Sequence, residues 1–145
     1  MRTDSYSTSF MVEQSPMEVF DAINNVRAWW EGDITGDSGK LGDTFTYRYG
    51  TMHRTTQKVT EFVPGQTVVW HVVDAELNFV NDKTEWTGTD IMFEITRRGD
   101  KTELRFTHVG LFPDMECFAD CSSAWGTIIN ESLAELIAGA TAETA

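Results

Sequence analysis

The chain has 145 residues, 41% of them hydrophobic, which is the size of one ordinary domain with a core that needs no staples. Eleven Lys and Arg against 23 Asp and Glu leave a net charge of −12, which argues against nucleic-acid and anionic-membrane roles. Two cysteines are too few for a disulfide scaffold, and neither the N-terminal MRTDSYSTSF nor any later run is apolar enough for a signal peptide or a membrane span, so the expectation is one soluble, cytoplasmic domain over 1–145.

Tyr6 to Glu13 reads as a first strand. Ser15-Pro16-Met17-Glu18 then supplies a Ser cap, a Pro at the first helical position and a Glu three residues after the cap, the parts of a capping box. Val19, Phe20 and Ile23 follow at helical spacing, and Val26 to Trp30 reads as a second short helix. From Leu41 the period changes to two: Phe45, Tyr47 and Tyr49 alternate with Thr44, Thr46 and Arg48. Strands are expected over His53–Phe62 and Thr67–Val73, with turns at Gly50-Thr51 and Pro64-Gly65 between them. A polar loop around Asn78–Thr84 follows. Ile91, Phe93 and Ile95 form one face of a strand, and Arg98-Gly99-Asp100 turns it onto Leu104, Phe106 and His108. In the last segment Phe118, Cys121, Trp125, Ile128, Ile129, Leu133 and Leu136 recur at three- and four-residue steps. This predicts a helix over 115–138, capped by Asp114, stopped near Gly139 and kinked, if at all, near Cys121–Ser123.

The order predicts an α+β fold: a curved antiparallel sheet of about six strands covered by one long C-terminal helix, with two short helices after the first strand. Two short helices are expected to leave an internal cavity between sheet and helix.

Several stretches carry a family resemblance. They are Ser15-Pro16 through Ile23, Trp29-Trp30, Leu41-Gly42-Asp43, Val63-Pro64-Gly65, Trp86-Thr87-Gly88-Thr89, Leu104 through Leu111, and Glu116-Cys117-Phe118 with Cys121-Ser122 and Ala124-Trp125. Taken in order, they resemble the SRPBCC (START-like, helix-grip) superfamily, in the branch similar to the activator of the heat-shock-protein-90 ATPase. The resemblance implies a deep pocket between sheet and C-terminal helix, in a superfamily that includes lipid-transfer domains, polyketide cyclases, plant ligand carriers and co-chaperone domains. Such a fold does not fix the function.

Parity selects the residues expected to line that pocket: Phe45, Tyr47, Tyr49, His53, Trp70, Phe93, Phe106 and His108 from the strands, and Phe118, Cys121, Trp125 and Ile129 from the helix. Each has an ordinary structural alternative. His108 is either a polar anchor or proton donor in the cavity or a histidine bonded at the exit of its strand. The tyrosines either orient a ligand or are core aromatics whose hydroxyls reach the rim. Cys117 and Cys121, one helical turn apart, are expected to be reduced and buried. Of Trp29-Trp30, one is expected to pack under the sheet edge and the other to form a lip of the pocket or a protein-contact spot. His71 falls on the outer parity, and three histidines on three strands make no metal site. No nucleophile elbow, phosphate-cradling loop or paired carboxylate is present. Catalysis inside the cavity would fall to His108, a Tyr or Glu94, although Glu94 alternates to the outer face. The function expected is therefore the binding of an apolar or aromatic small molecule, with no cofactor and no metal. The alternatives are a cyclase- or aromatase-like enzyme and a co-chaperone-like interaction module. A chaperone contact and a homodimer are the remaining partner expectations.

Overall fold

A computed structural model describes residues 5–30, 32–51, 53–78, 81, 84, 86–112, 115 and 118–144, the last five by backbone alone. β1 (Tyr6–Val12) leads to α1 (Pro16–Asn24) and α2 (Val26–Trp29). Six strands follow: β2 (Asp33–Gly36), β3 (Thr44–Tyr49), β4 (His53–Val63), β5 (Thr67–Leu77), β6 (Asp90–Arg98) and β7 (Lys101–Val109). The chain ends in α3 (Phe118–Thr127), a π-helical turn (Ile128–Leu133) and α4 (Ala134–Thr144). All strand pairs are antiparallel, in the order β1-β7-β6-β5-β4-β3-β2. The fold is α+β of the helix-grip kind.

The capping box forms as its spacing predicts. Ser15 Oγ accepts the Glu18 N–H at 3.2 Å, and the Ser15 N–H donates to Glu18 Oε1 at 2.9 Å. Ser15→Ala should cost about 1 kcal/mol in urea denaturation, the usual worth of such a cap. An unchanged midpoint would show that packing alone holds α1.

The sheet has one strand more than expected. β2 is too short and too polar to show an alternation, and it forms because β3 offers an edge and Arg27 donates to the Ile34 and Gly36 carbonyls at 3.1 and 2.9 Å. β5 runs four residues beyond the expected Val73. A register shift between Thr56 and Gln57 of β4 passes over Val73, breaking the parity, and Asp74-Ala75-Glu76 has poor strand propensity. A second shift lies between Val59 and Glu61, and both bulges increase the local twist.

The C-terminal helix also departs from expectation. It is described from Phe118, passes through Gly139 without stopping, and its irregularity lies at Ile128–Leu133 rather than near Cys121–Ser123. The reason is the spacing of its buried side chains: Cys121, Trp125, Ile129, Leu133 and Ile137, every fourth residue. In a regular α-helix each four-residue step turns about 40° too far to stay in line. A π-helical turn holds more residues per turn and swings the stripe back onto the sheet. No helix among the described residues is long and apolar enough to cross a membrane.

Candidate ligand pocket

The interior between sheet and helix is built from aromatic rings. Trp29 and Trp30, adjacent in sequence, are both buried, so neither forms an exposed lip. The short α2 turns both indoles inward, where they run nearly parallel to Trp70 at ring distances of 6.2 and 6.1 Å. Trp30 also stacks on Tyr47 at 4.0 Å and 12°. Gly32 permits this arrangement: its φ is +150°, and a Cβ there would lie 2.6 Å from the Tyr47 ring. α1 and α2 are short, yet the two indoles that α2 turns inward fill much of the gap.

A polar chain holds the other side. The Trp125 indole N–H donates to His108 Nδ1 at 3.0 Å. An indole nitrogen only donates, so Nδ1 accepts and the histidine's proton sits on Nε2. From there it reaches Thr89 Oγ1 at 2.8 Å, and the Thr89 hydroxyl donates to the Trp86 carbonyl at 2.5 Å. The loop carrying Trp86 is tied to β5 by Gly88 N–H donating to the Val72 carbonyl at 2.8 Å, and Gly88 supplies the φ of +88° that this turn requires. Trp86 lies nearly parallel to Trp125 at 5.7 Å and packs its edge against His108 at 4.5 Å.

A cavity of about 290 Å³ remains between these two groups. Its walls are Trp30, Tyr47, Tyr49, His53, Trp86 and Trp125, with Asp120, Cys121, Ala124 and Ile128 on the helix side. Tyr47 is buried, whereas Tyr49, two residues further along β3, is 54% exposed and stands at the opening. His53 packs edge-on against Tyr47 at 5.2 Å and Trp86 at 4.8 Å. Burial pushes His53 down to about 4, and burial followed by the neighbouring His53 pushes His108 down to about 3. Both imidazoles are neutral at pH 7. On the other side of His53, a second depression is lined by Arg48, Arg54, Glu76 and Asn78 among others.

Five of the residues expected from sequence, Tyr47, Tyr49, His53, Cys121 and Trp125, stand around the cavity. Phe45, Trp70, Phe93, Phe106, His108 and Ile129 share the inward parity but are fully buried in the core and do not border it. Phe118 is partly buried against that core. His108, with both ring nitrogens bonded, holds Trp125 in place. Cys121 is buried, and Cys117 lies outside the described residues. His71 faces outward and pairs with Asp90 at 2.8 Å. Among the described residues no group of His, Cys, Asp or Glu is placed to hold a metal ion.

Sequence reasoning missed Trp86, Asp120, Ala124 and Ile128 as wall residues. The one available signal was a lone Trp within the Thr- and Gly-rich Thr84–Thr89 loop. Four side chains, Asn24 (through Oδ1), Gln57 (through both amide atoms), Trp70 (through Nε1) and Trp86 (through Nε1), have buried polar atoms with no hydrogen-bond partner among the described residues. Chemically, the walls offer flat apolar contact and a neutral imidazole beside a phenol ring.

The family model described as Activator of Hsp90 ATPase homolog 1-like protein matches residues 13–138. Among solved structures, the Aha1 dimer from Colwellia psychrerythraea is 25% identical with a TM-score of 0.75, covering 94% of this chain and 98% of that one. Protein CV1439 from Chromobacterium violaceum is 14% identical with a TM-score of 0.69, covering 94% and 99%. CalU16 from Micromonospora echinospora is 12% identical with a TM-score of 0.66, covering 94% and 78%. The last two show the fold alone. The comparison with curated proteins found no match.

Proposed function

The chain belongs to the family of Activator of Hsp90 ATPase homolog 1-like proteins, and within it we propose that this protein binds a small apolar or aromatic molecule in the cavity beside the C-terminal helix. The observation that carries the reading is the wall itself: Trp30, Tyr47, Trp86 and Trp125 border about 290 Å³ of space that no side chain fills. That volume lies at the lower end of the usual ~300–1,000 Å³ range and suits a one- or two-ring ligand. Affinity would come mainly from apolar burial, at about 25 cal/mol per Å².

The test is titration with 2-naphthol, a neutral two-ring aromatic probe, followed by its fluorescence. Wild type should bind it saturably at one site. Ala124→Trp, which places an indole at the cavity wall, should weaken binding at least about tenfold while leaving the fold intact. No saturable binding by wild type, or equal binding by Ala124→Trp, would defeat the proposal.

One observation favours a second reading. The 25%-identical relative is an Aha1 dimer, which supports contact with a second copy or another protein. Light scattering across a concentration series separates a homodimer from a monomer.

A further inference from the structure

We propose that the pocket selects its ligand by charge: it takes aromatic molecules that carry a positively charged nitrogen and rejects anionic molecules of the same shape. This inference rests on the reading of the cavity as a ligand site and adds the chemical class of the ligand.

Among the described wall residues, Asp120 is the only one bearing a full charge at neutral pH, and it lies in the first, exposed turn of α3 on the cavity side. Among the described residues no Lys or Arg borders the cavity. His53 is the one other wall residue that could carry positive charge, and burial among Tyr47 and Trp86 keeps it neutral. Arg48 and Arg54 border the separate depression beyond His53, where Arg54 is engaged by Asp74 at 3.0 Å and Glu76 at 3.7 Å. A carboxylate or sulfonate entering the cavity would therefore lose water without gaining a cation.

A cation meets the opposite conditions. Five walls, Trp30, Tyr47, Tyr49, Trp86 and Trp125, are aromatic rings, whose negative faces attract ammonium groups. Asp120 supplies a counter-charge on the helix side, and the field of a chain with net charge −12 draws cations toward it. The ligand class that fits both terms is an arylalkylamine or an aryl quaternary ammonium.

The experiment compares three probes of one shape by isothermal titration at pH 7 and low salt: 3-phenylpropylamine, 3-phenylpropanol and 3-phenylpropionate. The amine should bind about tenfold or more tighter than the propionate, with the alcohol between them, a gap within reach of one desolvated ring–cation contact. In Asp120→Asn the amine should lose at least about threefold while the alcohol is unchanged, and added salt should narrow the amine–propionate gap. If the three probes bind equally, or the propionate binds best, charge selection is overturned and the pocket reading stands. An amine affinity that Asp120→Asn leaves unmoved would overturn the role of the carboxylate. If none of the three binds, the pocket reading and the charge inference fall together.

Discussion

Trp125→Ala is expected to destabilise the protein by about 3–5 kcal/mol, the range for removing a large buried aromatic. The side chain is 1% exposed and touches the rings of Trp30, Trp86, Phe106 and His108, so the hole would open at the junction of the core and the cavity. Two losses add in that figure and can be separated. Trp125→Phe keeps most of the apolar contact but removes the N–H that His108 Nδ1 accepts, leaving a buried acceptor unpaired. That variant should cost about 1–3 kcal/mol. Urea denaturation of the three proteins measures both terms. A Trp125→Ala protein within about 1 kcal/mol of wild type would mean that the indole packs loosely in solution.

Stability should also fall steeply between pH 6.5 and pH 4.5. In the unfolded chain His53 and His108 take up protons near their ordinary value of about 6.5. In the fold they resist until about 4 and about 3, because burial penalises the charged ring. The unfolded state therefore binds more protons throughout that window, and stability rises with pH across it. The contribution is complete above about 6.5 and is lost as the pH falls toward the folded values. Each histidine gives a slope of about 1.4 kcal/mol per pH unit, so the pair removes roughly 4 kcal/mol by pH 4.5. Carboxylates change charge at the lower end of the same range, so a variant isolates the imidazoles. His53→Phe keeps the edge-on packing against Tyr47 and Trp86 and should remove about half of the slope, with a small change at pH 7. A slope identical to wild type would place the acid sensitivity elsewhere.

Much of the architecture was legible because its causes are local. Ser15 and Glu18 cap α1 across three residues, and the alternation at Phe45–Tyr49, Ile91–Ile95 and Leu104–His108 places one side of each strand inward. The inward parity of His53 was also visible, since the β4 strand keeps its alternation through the shift opposite Val73. β2 and the end of β5 were not legible, because one is stabilised by its neighbour's edge and the other continues past a bulge. The π-helical turn has a trace in the sequence: apolar residues four apart from Cys121 to Ile137 outrun the α-helical period.

The candidate site divides along the same line. Sequence alone determined that an aromatic inner face would meet an amphipathic C-terminal helix, because strand and helix periods fix which side each residue presents. It did not determine which of those residues would border open space. Phe45, Trp70 and Phe93 have the parity of Tyr47, yet Trp29 and Trp30 pack over them and convert them into core, while Trp86 arrives from a loop to close the far wall. The difference between core and cavity is set by volume, by how much of the space left by one element is taken up by side chains from others. That quantity depends on contacts between residues far apart in the chain, and no periodicity within a strand or helix carries it.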